Sequence, residues 1–358
     1  MSQPDPARIP APGAQYLSEI REQPTALRRL LDHHAEFVRV ADAATKHGGG
    51  IVRMVGHGSS DNAASFGVYA FGLLPGLTAV RDSISLLVYY GAKLDLRGST
   101  VVALSQSGRT PDVLEYVERA RRGGAFTIAV TNEPDSALAE AAEAVLPLEA
   151  GPELAVAATK TYSNQLAALA LLAGCLAGRG DELTSRIGEV AGRIEDMLPG
   201  LERLAASFAV PFASVARMFV IGRGPEFATA REIALKLLET CQIAAEPLTA
   251  TDLAHGPVAA LDPLFPVWSI ASEDETLDAV VDATARARAA GATVVASGTA
   301  AHALRDAQYV VPVPRPRLPL LAPLLSVVPG QLFAGSVARA KGLDPDRPRG
   351  LSKVTLAR

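Results

Sequence analysis

The sequence predicts an α/β fold built from two tandem domains, each a parallel sheet wrapped by helices. Three observations point there. The chain has 358 residues, of which 49% are apolar and 20% charged, enough material for two cores of ordinary domain size. Short continuous apolar runs alternate with longer helical patterns, as expected for strands covered on both faces of a parallel sheet. The chain also repeats itself. The runs IVRMVGHGSS at 51–60 and RMFVIGRGPE at 217–226 end in the same kind of glycine turn, and Gly56 and Gly222 set the offset between the copies. The same offset carries 101–130 onto 267–296 without a gap. Both copies read as strand, polar turn, Arg-rich amphipathic helix, small-residue turn and strand.

Along the chain, Pro4, Pro6, Pro10 and Pro12 mark residues 1–15 as a disordered tail, without the charged start and apolar core of a leader peptide. A first domain is expected over 16–200, with strands at 51–55, 78–80, 101–105, 127–131 and 144–148. Helices over 166–203 are expected to join the halves. The second domain, 201–340, has strands at 217–221, 267–270, 293–297 and 308–313, and 341–358 forms a C-terminal tail. The apolar run 166–178 is shorter than the ~18 residues that span a bilayer and reads as a buried helix. The stretch 318–335 is apolar too, but Pro319, Pro323 and Pro329 punctuate it. No membrane association is expected. Net charge is −4 from 34 basic and 38 acidic residues, which argues against a nucleic-acid partner held by a basic face. Two cysteines, Cys175 and Cys241, are too few for a disulfide scaffold and suit a reducing, cytoplasmic setting.

Both nucleotide fingerprints fail. After Gly56 and Gly58 the third glycine of G-x-G-x-x-G is Asp61, in the second copy it is Phe227, and no run closes on G-K-[ST]. The 101–105 strand leads instead into Ser105-Gln106-Ser107-Gly108-Arg109-Thr110, with Pro111-Asp112 opening a helix. Hydroxyls and unpaired backbone N–H groups at a helix N-terminus make an anion site, and Ser59 and Ser60 follow the neighbouring strand at the same sheet edge. A single Ser or Thr there would read as a helix cap. Five hydroxyls on two adjacent turns read as a phosphate site. At the repeat offset this turn becomes Ala271-Ser272-Glu273-Asp274-Glu275, whose three acids would repel a phosphate. The second half is expected to keep the scaffold and lose the anion site.

The second half carries a different pattern. The helix at 225–242 is apolar around most of its circumference, with Glu232, Lys236 and Glu239 in one stripe. Two accounts stay open: a Glu232–Lys236 pair with a surface Glu239, or a carboxylate and an ammonium tuning one another for proton transfer. His255 stands in the turn Leu253-Ala254-His255-Gly256-Pro257, where glycine and proline would expose the ring. There is no H-E-x-x-H, no Cys/His cluster and no G-x-S-x-G, so neither a metal nor a cofactor is expected.

These segments together resemble the SIS (sugar isomerase) domain family, most closely the isomerase half of glucosamine-6-phosphate synthase and its stand-alone deaminase- and isomerase-like relatives. The matching motifs are GHGSSDNAA at 56–64, SQSGRTPD at 105–112, VAATKTYSNQLAAL at 156–169, GRGPEFATAREIALKLLE at 222–239, AEPLTATDLAHGP at 245–257 and KGLDPDRPRGLSKVT at 341–355. The resemblance implies two doubly wound, flavodoxin-like domains. It implies that Ser60, Ser105, Gln106, Ser107 and Thr110 hold a sugar phosphate, with Gly58, Ser59 and Ala158 also lining the substrate. It makes Glu239 the base that moves a proton between C1 and C2, with Lys236 and Glu232 as its neighbours. His255 resembles a ring-opening histidine supplied across a homodimer, and Lys353 a lysine that meets the substrate carbonyl. The residue types suit those roles.

Three departures bear on the substrate. Ser2 follows Met1 where the synthase begins its glutaminase with a cysteine, so glutamine hydrolysis is not expected. Arg109 stands where the synthase has an acid, and Ala158 where it has a serine near the sugar. No helix-turn-helix segment precedes the domain. The expected activity is a glutamine-independent isomerisation of a hexose or hexosamine 6-phosphate, coupled to ammonia release. A non-catalytic sugar-phosphate sensor and a fructosamine-phosphate deglycase are the alternatives.

Overall fold

The structure is a computed structural model and describes residues 11–353. The expected tail over 1–10 and the last five residues of the chain lie outside that span. The first half opens with three helices, α1 (Ala14–Arg21), α2 (Gln23–Leu31) and α3 (His34–His47). It continues through β1 (Ile51–Val55), α4 (Ser59–Leu73), β2 (Thr78–Arg81), α5 (Ile84–Val88), β3 (Ser99–Leu104) and α6 (Pro111–Arg122). It closes with β4 (Phe126–Thr131), α7 (Ala137–Ala141), β5 (Ala144–Pro147), α8 (Lys160–Leu176) and the long α9 (Gly180–Phe208). The second half runs β6 (Arg217–Gly222), α10 (Glu226–Cys241), β7 (Ala244–Thr249), β8 (Pro266–Ile270), α11 (Leu277–Ala289), β9 (Thr293–Gly298), β10 (Tyr309–Pro312) and α12 (Ala322–Ala340).

Each half holds a five-stranded, all-parallel sheet. The orders are β2-β1-β3-β4-β5 and β7-β6-β8-β9-β10, the same doubly wound topology twice. The central strands β3, β4 and β8 are buried at every position, which is why they read as unbroken apolar runs rather than as alternation.

Two elements depart from the expected map. β7 falls outside the expected strands, because AAEPLT carries a glutamate and a proline that read as loop. It sits at the sheet edge, where a proline costs no ladder bond, and its first residue, Ala244, is the repeat counterpart of Thr78 at the start of β2. α8, expected to join the halves, is instead a core element of the first: it is buried along almost its whole length and holds the position in its half that α12 holds in the second. The boundary expected at 200 falls within α9. The prolines of 318–335 do not interrupt the chain either. Pro323 sits in the first turn of α12, where its missing N–H costs nothing, and Pro329 lies inside the continuing helix. By length and composition Pro319–Ala340 could cross a membrane, but it is wholly buried in the fold.

One apolar core serves both halves. Phe208 of α9, Tyr309 of β10, Trp268 of β8 and Phe333 of α12 meet with ring centroids 4.9–5.1 Å apart. α10 and α12 approach so closely that a Cβ on Gly330 would lie 2.3 Å from Ile233 Cγ1. The last part of the expected N-terminal tail is also tied down. Backbone N–H groups of Gly13, Gln15 and Tyr16 donate to the Asp346 carboxylate at 3.1, 3.2 and 2.6 Å, so a C-terminal residue caps α1. That contact makes residues 13–15, expected as tail, part of the fold and brings the C-terminal segment back over the first half.

Candidate active site

A cleft of about 540 Å³ opens at the carboxyl ends of β1 and β3, where a doubly wound sheet reverses strand order. One wall is the turn from Ser105 to Thr110. Gly108 makes it possible: its φ is +59°, and a Cβ there would lie 1.9 Å from Ser136 Oγ. Thr110 is the residue that enters α6, yet its side chain makes no cap bond to the helix. Its Oγ1 lies 3.2 Å from Ser105 Oγ, which accepts from Gly108 N at 3.1 Å. Ser107 Oγ accepts from Arg109 N at 3.4 Å, and Ser60 Oγ accepts from Gln165 Nε2 at 2.9 Å. The Ser60 and Ser107 hydroxyls therefore keep their protons free to donate. Ser60, Ser105, Gln106, Ser107 and Thr110 all line the cleft, as do Gly58, Ser59 and Ala158.

The facing wall comes from α10 and the C-terminal segment. Glu239 lines the cleft, and its Oε2 lies 2.6 Å from Lys236 Nζ, off the line of a hydrogen bond. Lys236 and Glu232 are fully buried and stand behind Glu239 without lining the cleft. Lys236 pairs with both carboxylates of the stripe, closer to Glu239 than to Glu232, whose Oε1 is 3.4 Å away. Burial alone would depress the Lys236 ammonium, but the two carboxylates outweigh it and hold it well above the usual lysine range. Burial raises the Glu232 carboxyl, against the pull of Lys236 and hydrogen bonds from Asn62 Nδ2 and Ser59 Oγ, each at 2.9 Å.

Lys353 reaches the cleft from the C-terminal segment and is held there by Glu153, a residue that no sequence pattern singled out. Lys353 Nζ donates to Glu153 Oε2 at 2.7 Å and to Ala155 O at 2.8 Å. Glu153 is fully buried and accepts further from Thr161 Oγ1 and from the N–H groups of Thr159 and Thr161. Burial pushes its carboxyl up, but Lys353 and these donors win and hold it below the ordinary range. A lone glutamate before the apolar stretch LAVAA was the available signal. Gln165 and Thr161 lie unmarked inside one of the resembling motifs, and so does His57 within GHGSS.

His255 is exposed on the short 3₁₀ turn Asp252–His255 and does not line the cleft of its own chain. The second half has no serine turn. Glu226 is the repeat counterpart of Ser60, and its buried carboxylate accepts from Ser272, Thr229 and Ser326 hydroxyls at 2.6–2.8 Å. A protein carboxylate takes the hydroxyls that a bound anion would need. Among the described residues no cluster of three or more His, Cys, Asp or Glu could hold a metal ion.

The model of the SIS domain matches residues 52–174 and 212–338. The chain is 34% identical over 354 residues to a glutamine–fructose-6-phosphate aminotransferase (isomerizing) of Pyrococcus horikoshii, covering 94% of this chain and 56% of that protein. With the Aeropyrum pernix protein of the same name the identity is 37% over 351 residues, with the same coverage. The chain thus spans a little over half the length of the curated relatives it matches. A crystal structure from Silicibacter pomeroyi, provisionally described as a phosphosugar isomerase, superposes with a TM-score of 0.82 at 32% identity over 92% of this chain and 99% of that one.

Proposed function

Because the chain belongs to the SIS domain family, we propose that it is a phosphosugar isomerase whose cleft takes a hexose or hexosamine 6-phosphate. One observation carries this reading: the serine turn, Glu239 and Lys353 converge on a single cleft from three distant parts of the chain. The phosphate binds the hydroxyls of Ser60, Ser105, Ser107 and Thr110 and the N–H groups at the start of α6. The sugar carbons then extend toward α10.

In the opened sugar, Glu239 takes the proton from C2 and returns it to C1. Its carboxylate lines the cleft, and Lys236 Nζ, 2.6 Å from Oε2, sets a buried positive charge beside the base. Lys353, paired with Glu153, is an ammonium and offsets the negative charge that develops on the substrate oxygen. With a hexosamine phosphate the rearranged C2 imine adds water and expels ammonia, leaving the ketose phosphate. Ring opening falls to His255 of a second copy, since His255 lies outside its own cleft. A sensor would need the serine turn but not the Glu239–Lys236 pair or the held lysine.

The test is a screen of hexosamine and hexose 6-phosphates without glutamine, reading ammonia release and solvent exchange of the C2 hydrogen. Ammonia release supports the deaminating reaction, and exchange without ammonia a plain isomerase. Neither signal with any of these sugars would overturn the proposal in favour of a sensor.

A further inference from the structure

The serine turn supplies hydroxyls and N–H groups, but its one charged side chain, Arg109, is exposed and does not line the cleft, and the cleft as a whole is short of positive charge. Its ionisable lining residues are Asp112, Glu153 and Glu239 against Lys353 and His57. Lys353 is already committed to Glu153. Asp112 lies two residues beyond Thr110 in the first turn of α6, so its carboxylate stands at the phosphate end, with a side chain only 8% exposed. An uncompensated carboxylate there would repel a phosphate.

His57 meets that carboxylate. It sits in the turn between β1 and α4, its Nε2 is 2.8 Å from Asp112 Oδ2, and its side chain is 56% exposed into the cleft region. A carboxylate only accepts, so Nε2 carries a proton. Nδ1 makes no hydrogen bond among the described residues. A phosphate oxygen also only accepts, so a contact with Nδ1 requires a second proton and a charged ring.

We propose that His57 is a substrate-binding residue: anchored by Asp112, it presents a protonated imidazole to the phosphate and cancels the charge of the acid beside the site. This rests on the reading of the serine turn as a phosphate site. The ligand class is a phosphate monoester, and the imidazolium favours its dianion over an uncharged sugar.

The test is calorimetric titration of inorganic phosphate into the full chain and three variants whose folding is checked by thermal melting. His57→Gln keeps a donor for Asp112 but loses the charge, and should weaken phosphate binding at least ~10-fold, the scale of one charge-assisted hydrogen bond. The double variant His57→Gln/Asp112→Asn should recover most of that loss, because the acid that needed compensation has gone. Ser107→Ala reports on the serine turn itself. Weakening in Ser107→Ala with unchanged binding in His57→Gln overturns the role of His57 and leaves the turn standing. Unchanged binding in both overturns the phosphate reading of the turn. A double variant as weak as His57→Gln makes the histidine only an anchor for α6, and that also overturns the proposal.

Discussion

Glu239 lines the cleft with one oxygen against a buried ammonium, so its removal should touch proton transfer far more than binding. Glu239→Gln is expected to lower turnover by ~10²–10⁴ with substrate affinity retained, read as the rate of C2 hydrogen exchange beside a binding isotherm. Unchanged exchange would remove Glu239 from the chemistry. Glu153 gives a prediction in pH. Its folded pKa is lowered, so its ionised form contributes stability above the ordinary value of 4.5, and that contribution is lost as pH falls through the depressed value. The parent should therefore lose more melting temperature below about pH 4.5 than Glu153→Gln does, although the variant is the less stable of the two at neutral pH. The comparison must be made between the two proteins, because burial raises Glu19, Glu226 and Glu232 in the opposite direction. Parallel profiles would mean that the Lys353 pair adds no pH-dependent stability.

At the scale of elements, α10 is the one that joins stability to chemistry. It packs on α12 at Gly330 and on α4 through Ser59, Asn62 and Glu232. Its Glu232, Lys236 and Glu239 are balanced only as a set. Lys236→Met leaves Glu232 buried without its counter-charge, and breaking a buried pair in this way costs about 3–5 kcal/mol. Denaturant unfolding should show that loss, and C2 exchange should fall as well. Full stability in Lys236→Met would mean that Glu232 is neutral in the folded protein. The serine turn shows how an element's end can be read two ways. Thr110 has the sequence position of a cap, and the structure leaves its hydroxyl out of the helix. The sequence pattern could not separate these uses, because both place Thr before Pro at a helix start.

For the whole molecule, the repeat explains the division between the halves. The repeat offset carries Ser60 onto Glu226, so one copy lines a cleft with hydroxyls and the other satisfies its hydroxyls with its own carboxylate. The position of His255 raises a question that only an assembly answers. If His255 completes the site of a second copy, His255→Ala and Glu239→Gln fail in different subunits. Mixing the two after subunit exchange should restore up to about one quarter of the parent activity, because half of random dimers are mixed and each has one intact site. No recovery, with mixed dimers demonstrated, would mean that His255 does not serve the site of a second copy.

The α/β class, nine of the ten strands among the described residues and the hydroxyl turn are legible in the sequence, because they are written in local periodicity and in a repeat that needs no coordinates. It also held β7 at the repeat offset, hidden by the proline and glutamate that an edge strand tolerates. Which groups meet is settled by the packing of distant segments. Glu153 holds Lys353 across 200 residues, Asp112 holds His57 across 55, and Asp346 caps α1 across 330. Those pairings depend on where strand ends and chain ends come to rest, and local composition carries no record of that distance. The charged stripe of α10 lay between the two cases. Its spacing is plain in the sequence, but which carboxylate the lysine favours depends on burial against α4 and the cleft, and that is a property of the packed molecule.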